Sequence, residues 1–277
     1  MRVLIFLAIS FIYIFAKDII TVSILPQKFF VQKIVKDRFD IEVMVRPGNS
    51  PATYSVKPKQ LQMLKSSKIY FAIGVPFENG WLKRFKSVNP NLKIVDMGKY
   101  VKRFPMEEGQ KDKHQGLDPH IWLSPPLVAL QARAILEEVI KLDRKNSSFY
   151  IKNYKKFIQE IVDIDTQIIK MMQNLKRKKF IVFHPSFGYF ARAYGLKQIA
   201  IEKEGKSPKA QYLKKVANIA KKEHIKVIFI EPQFPKRSAL LIARMTNAKV
   251  QTINPLAFEW DKNILEVAKA IEEANSN

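Results

Sequence analysis

A chain of 277 residues with 47% hydrophobic content is long enough for one large α/β domain or two lobes with real cores. It contains no cysteine, which excludes disulfides, thiolate zinc sites, cysteine nucleophiles and anchoring through a lipid-modified N-terminal cysteine. The formal net charge of +23 raises nucleic acid, an anionic membrane or an acidic partner, but the lysines are scattered along the whole chain, so a lysine-rich composition accounts for it.

Met1-Arg2 precede an uncharged apolar run from Val3 to Ala16, followed by Lys17-Asp18. This is the pattern of a cleaved signal peptide over residues 1–16, too brief to span a bilayer with ease; a retained N-terminal anchor is the alternative. The mature chain then starts near Lys17, in the periplasm, which argues against nucleic acid as a partner.

The mature chain alternates strands and helices. Asp18–Ile24 is a first strand and Pro26 opens a helix to about Asp37, with Phe29, Phe30, Ile34 and Val35 on one face. Ile41–Val45 is a second strand, ending in the turn-rich Arg46-Pro47-Gly48-Asn49-Ser50-Pro51. Pro58 opens a second helix, Ile69–Ile73 is a third strand, Trp81–Phe85 is helical and Lys93–Val95 is a fourth strand. Residues 99–116 form a polar loop containing His114. A helix follows from Pro126 to Leu142.

Ser147 to Arg177 is the longest periodic segment. Tyr154, Phe157, Ile158, Ile161, Ile164, Ile168, Met171, Met172 and Leu175 recur at spacings of three and four, which predicts one amphipathic helix of about 40–45 Å. That exceeds a single layer, so the helix is read as a rod joining two lobes. The dense Lys176-Arg177-Lys178-Lys179 run suits its C-terminal dipole. Strands at Phe180–Phe183, Gln198–Ile201, Val227–Ile230 and Lys249–Ile253 then alternate with helices from Pro185, from Pro208 to Lys222, over Pro235–Thr246 and over Trp260–Ala274. The expected fold is α/β: two parallel-sheet lobes joined by one long rigid helix, with a ligand cleft between them. The expected boundaries are an N-terminal lobe at 17–146, a linking helix at 147–177 and a C-terminal lobe at 178–277.

Of the four histidines, two sit in stiff surroundings. His120 lies in Asp118-Pro119-His120-Ile121-Trp122-Leu123-Ser124-Pro125, where the prolines favour an extended chain. His184 ends the apolar Phe180–Phe183 run just before Pro185. Ligands of parallel sheets bind outside the carboxyl ends of the strands. Those ends also offer Glu231, in Glu231-Pro232-Gln233-Phe234, and Asn254, in Asn254-Pro255-Leu256. Two imidazoles with a carboxylate and amide or water oxygens suit zinc; the alternative is a pair of hydrogen-bonded structural histidines. His224 reads as a solvated or capping residue. Gly205-Lys206-Ser207 lacks the upstream glycine of a phosphate loop, because Ala200 holds that position. Nothing pairs a nucleophile with a base, and no enzyme is expected.

Together with Pro47-Gly48-Asn49-Ser50-Pro51-Ala52-Thr53-Tyr54 and His184-Pro185-Ser186-Phe187-Gly188-Tyr189-Phe190, these motifs run through almost the whole mature chain. In this order they make the chain resemble the zinc/manganese-type periplasmic solute-binding proteins of metal ABC transporters. The resemblance implies a metal held between two lobes and delivered to an inner-membrane ABC permease by a monomeric carrier. Zinc is the expected cargo, with manganese possible. Two departures stand out. The family's first histidine ligand is replaced by Ala52, and its last aspartate by Asn254. His120 and His184 match the pattern, and Glu231, Asn254, Glu204 or water would complete the shell. Two other readings are a same-fold protein for a chelated metal or another small ligand, and a secreted adhesion or surface-interaction protein.

Overall fold

The computed structural model describes residues 17–106, 117–202 and 208–276, so the expected export signal, His114 and Glu204 lie outside the described residues. The alternation of strands and helices yields two four-stranded parallel sheets. The first contains β1 (Ile19–Val22), β2 (Asp40–Val43), β3 (Ser67–Ala72) and β4 (Lys93–Asp96) in the order β2-β1-β3-β4. The second contains β5 (Lys179–Val182), β6 (Lys197–Ala200), β7 (Val227–Ile230) and β8 (Lys249–Thr252) in the order β6-β5-β7-β8. The two halves therefore repeat one topology. In each, strand order reverses between the first and third strands, and a crevice opens there beyond the carboxyl ends. Both faces of these sheets are covered, which is why Ile20, Val22, Ile69, Phe71, Ile181 and Ile228 are all buried.

Proline at the first or second position starts α1 (Leu25–Val35), α2 (Pro58–Leu64), α3 (Pro76–Val88) and α4 (Pro125–Leu142), where its missing N–H costs nothing. α3 is longer than the five residues expected. Asn79-Gly80 hides its first turn in the sequence, yet Phe77 and Phe85 are both buried along it. The linking helix α5 (Ser147–Gln173) has 27 residues and is about 40 Å long. Its buried stripe is Tyr150, Phe157, Ile161, Ile164, Ile168 and Met172. It ends four residues earlier than expected. Lys178 Nζ returns to bond the Met172 carbonyl at 2.8 Å, so the basic run does neutralise the helix end.

The second half adds α6 (Gly188–Ala193), α7 (Ala210–Lys222), α8 (Arg237–Thr246) and α9 (Trp260–Ser276). α6 begins at Gly188 and not at Pro185, because the Ser186 N–H bonds the His184 carbonyl at 2.7 Å and makes a tight turn first. α5 packs on α4, α1 and α9. The last helix thus comes back to the first: the Trp260 ring meets Phe30 edge-on at 5.2 Å. One continuous core contains the first sheet, α5 and α9, and a separate cluster including Val216, Ile228 and Ile242 lies on the far face of the second sheet.

Hydrogen bonds stitch the halves together beside the crevice. Trp122 Nε1–H donates to the Pro255 carbonyl at 2.7 Å, and Trp260 Nε1–H donates to the Trp122 carbonyl at 2.7 Å. The Tyr189 hydroxyl accepts the Phe104 N–H at 3.0 Å and reaches the Asp118 carbonyl at 3.2 Å. In the first half the crevice is plugged by Glu78, 1% exposed, which accepts the N–H groups of Ile73 and Gly74 and the Ser23 hydroxyl. In the second half it is left to His184 and Glu231.

Candidate metal centre

His120 is delivered by the chain that leads into α4. It has φ −74° and ψ 36° and starts a one-turn 3₁₀ helix, Ile121–Leu123, in place of the extended conformation expected from its proline neighbours. The short turn lets Asp118 fold back on it: Asp118 Oδ1 accepts the His120 backbone N–H at 2.9 Å and lies 2.7 Å from His120 Nδ1. Gly188 makes this approach possible, since a Cβ there would come within 2.9 Å of Asp118 Oδ2. His184 follows β5 at the crevice of the second sheet. Its Nδ1 is 2.8 Å from Glu202 Oε2, at the end of β6, and its backbone N–H donates to Glu231 Oε2 at 3.2 Å.

Both imidazoles therefore have the same design. A buried carboxylate oxygen sits within hydrogen-bond distance of Nδ1, an arrangement that favours the neutral tautomer with its proton on Nδ1 and its lone pair on Nε2. The rings face each other with centroids 5.2 Å apart and planes at 72°. His184 stacks on Phe234 at 4.9 Å and His120 packs on Trp122 at 5.0 Å, so neither ring is free to turn. Both line a cavity of about 60 Å³ together with Ala52, Gln233 and Pro255.

Glu231, at the end of β7, is 1% exposed. Its oxygens meet the His184 N–H and the Ser186 hydroxyl (3.3 Å), and burial pushes its carboxyl up to about 7. Asn254 Oδ1 accepts the Leu256 N–H at 3.0 Å and borders an adjoining cavity of about 120 Å³, with Arg46 and Asn49 on its wall. The structure thus brings His120 and His184 together, sets Glu231 behind His184, and places Asn254 in the neighbouring cavity. His224 lies exposed with φ +52° just after α7, away from this region. Among the described residues, no group of three or more His, Cys, Asp or Glu side chains is placed to hold a metal ion.

Sequence reasoning overlooked Glu202. The strand-end rule reaches it, because it lies two residues past β6. Asp118, Glu202 and Glu231 set three buried carboxyl groups directly behind two imidazoles. A chain of net charge +23 thus carries a locally acidic pocket, with the sign a cation needs.

The model of the family described as zinc-uptake complex component A, periplasmic (ZnuA), matches residues 20–274. The high-affinity zinc uptake system protein ZnuA of Bacillus subtilis is 28% identical over 246 residues, covering 83% of this chain and 76% of the relative. The manganese-binding lipoprotein MntA of Halalkalibacterium halodurans is 21% identical over 208 residues, 73% of this chain and 66% of the relative. A crystal structure of ZnuA superimposes with a TM-score of 0.89 at 40% identity, covering 95% of this chain and all of that one. With its matched length, its paired sheets and the helix between them, this chain belongs to the ZnuA family of periplasmic zinc-uptake components, the solute-binding proteins of metal ABC transporters.

Proposed function

We propose that His120 and His184 hold the transported ion through their Nε2 atoms and that the ion is zinc, with manganese the second candidate. The observation that supports this is the spacing of the rings. Two imidazoles bound to one tetrahedral zinc at about 2.0–2.1 Å have centroids about 5 Å apart; the separation here is 5.2 Å. The ring separation is that of two imidazoles sharing one ion. Asp118 and Glu202 orient the two ligands through Nδ1, and Glu231 holds the backbone of His184 in place. Asn254 closes the adjoining cavity.

Residues 1–16 act as the cleaved export signal, and the mature protein works as a monomer that passes its ion to the cognate inner-membrane permease. The stitched interface limits lobe motion, so capture involves small shifts and not wide closure. Zinc is bound by neutral imidazole, so affinity falls on acidification. The test is titration of stripped, purified protein with zinc and with manganese by calorimetry, beside a His120→Ala/His184→Ala variant. One zinc per chain, lost in the variant, is expected. Equal affinity in the two proteins overturns the assignment.

A further inference from the structure

Gln233 stands two residues past Glu231, beyond the carboxyl end of β7, and lines both the cavity that holds the imidazoles and the one that holds Asn254. Its Oε1 is buried and has no hydrogen-bond partner. Its Nε2 reaches Asn254 Oδ1 only at 3.5 Å, the outer limit of a hydrogen bond. Native proteins rarely leave such an oxygen unpaired, because it has given up water without replacement.

No side chain donates to this oxygen in the structure, although the Ser50 hydroxyl lines the same cavity and Arg46 the adjoining one. Nδ1 of each imidazole lies within hydrogen-bond distance of a carboxylate oxygen, and in the neutral tautomer with its proton there the Nε2 atom presents a lone pair. Trp122 Nε1–H is committed to Pro255. Ala52, Pro51, Pro76 and Pro119 carry no donor on their side chains. The cavity, at about 60 Å³, has room for an ion and water besides, since one water needs about 10–15 Å³.

We propose that Gln233 Oε1 accepts a hydrogen bond from a water bound to the metal, and that this water fills the coordination position which the methyl group of Ala52 leaves open. The inference rests on the reading that His120 and His184 hold the ion. A water on a dication is a strong donor, and a preplaced acceptor fixes where it sits. Gln233 is a positioning residue: it holds a water as the third ligand beside the two histidines.

The test is a double-mutant cycle on zinc affinity, read by competition with a chromophoric chelator. Gln233→Leu keeps the bulk and removes the acceptor; its affinity should fall about 10–100-fold. Ala52→His offers a third imidazole where the water sits, so in that background Gln233→Leu should cost less than about 3-fold. Equal losses in both backgrounds, or no loss in the single variant, would overturn the proposal. If Ala52→His does not fold, cobalt-loaded wild type and Gln233→Leu are compared. Their visible bands, which follow coordination number, should differ, and identical spectra overturn the proposal. Matching melting points of the stripped proteins exclude a folding effect. Failure of the wild type to bind zinc counts against the two-histidine reading, a result distinct from wild-type binding with an indifferent Gln233.

Discussion

Glu231 should make the metal-free protein less stable as pH rises. Its carboxyl is 1% exposed, and burial lifts it from the ordinary 4.5 to about 7. An acid whose folded value is raised binds more protons folded than unfolded. Its stabilising contribution is therefore complete below about 4.5 and is lost as the pH climbs through about 7. Between pH 5.5 and pH 8.5 that loss is about 2 kcal/mol, relative to a side chain that cannot ionise. Glu231→Gln is such a side chain, and it retains an oxygen for the His184 N–H. Thermal melts of both stripped proteins at the two pH values isolate the effect, because every other titrating group is common to both. The variant's melting point should gain about 4–8 °C on the wild type between pH 5.5 and pH 8.5, for a chain of this size. A difference that does not change with pH would refute the reasoning.

Three further outcomes follow from the geometry. Asp118→Asn and Glu202→Gln each remove the carboxylate that orients one imidazole and should weaken zinc binding about 10–100-fold by calorimetry, with the fold intact by circular dichroism. Gly188→Ala forces a methyl group to within 2.9 Å of Asp118 Oδ2 and should lower zinc affinity from outside the pocket; unchanged affinity would mean that Asp118 can shift without moving His120. Trp260→Phe leaves the Trp122 carbonyl without its 2.7 Å donor, and urea unfolding should register a loss of about 1–3 kcal/mol.

The fold was legible because its signals are local. Strand runs with both faces buried, proline at the starts of α1, α2 and α4 and the three-four spacing along α5 each follow from neighbouring residues alone. His120 and His184 stood out for the same reason, each being pinned beside a proline. What escaped was non-local. Glu202 meets His184 only because β6 and β5 are paired, and the unpaired oxygen of Gln233 is a property of the space around it. The turn at His184–Ser186 displaced the start of α6 through one backbone hydrogen bond that composition does not announce.

The pairing of the first helix with the last also governs when this chain can become a folded object. Phe29 and Phe30 of α1 find their cover in Trp260, and Lys33 pairs with Asp261 at 3.5 Å. Phe157 of α5 covers part of the aromatic side of α1, and Trp260 completes that cover only once the final residues have emerged from the ribosome. The N-terminal half therefore reaches its finished packing only with the last helix in place, unlike an independent leading domain. In a family of periplasmic components, a contact that only the last helix can complete ties the finished N-terminal core to the arrival of the whole chain.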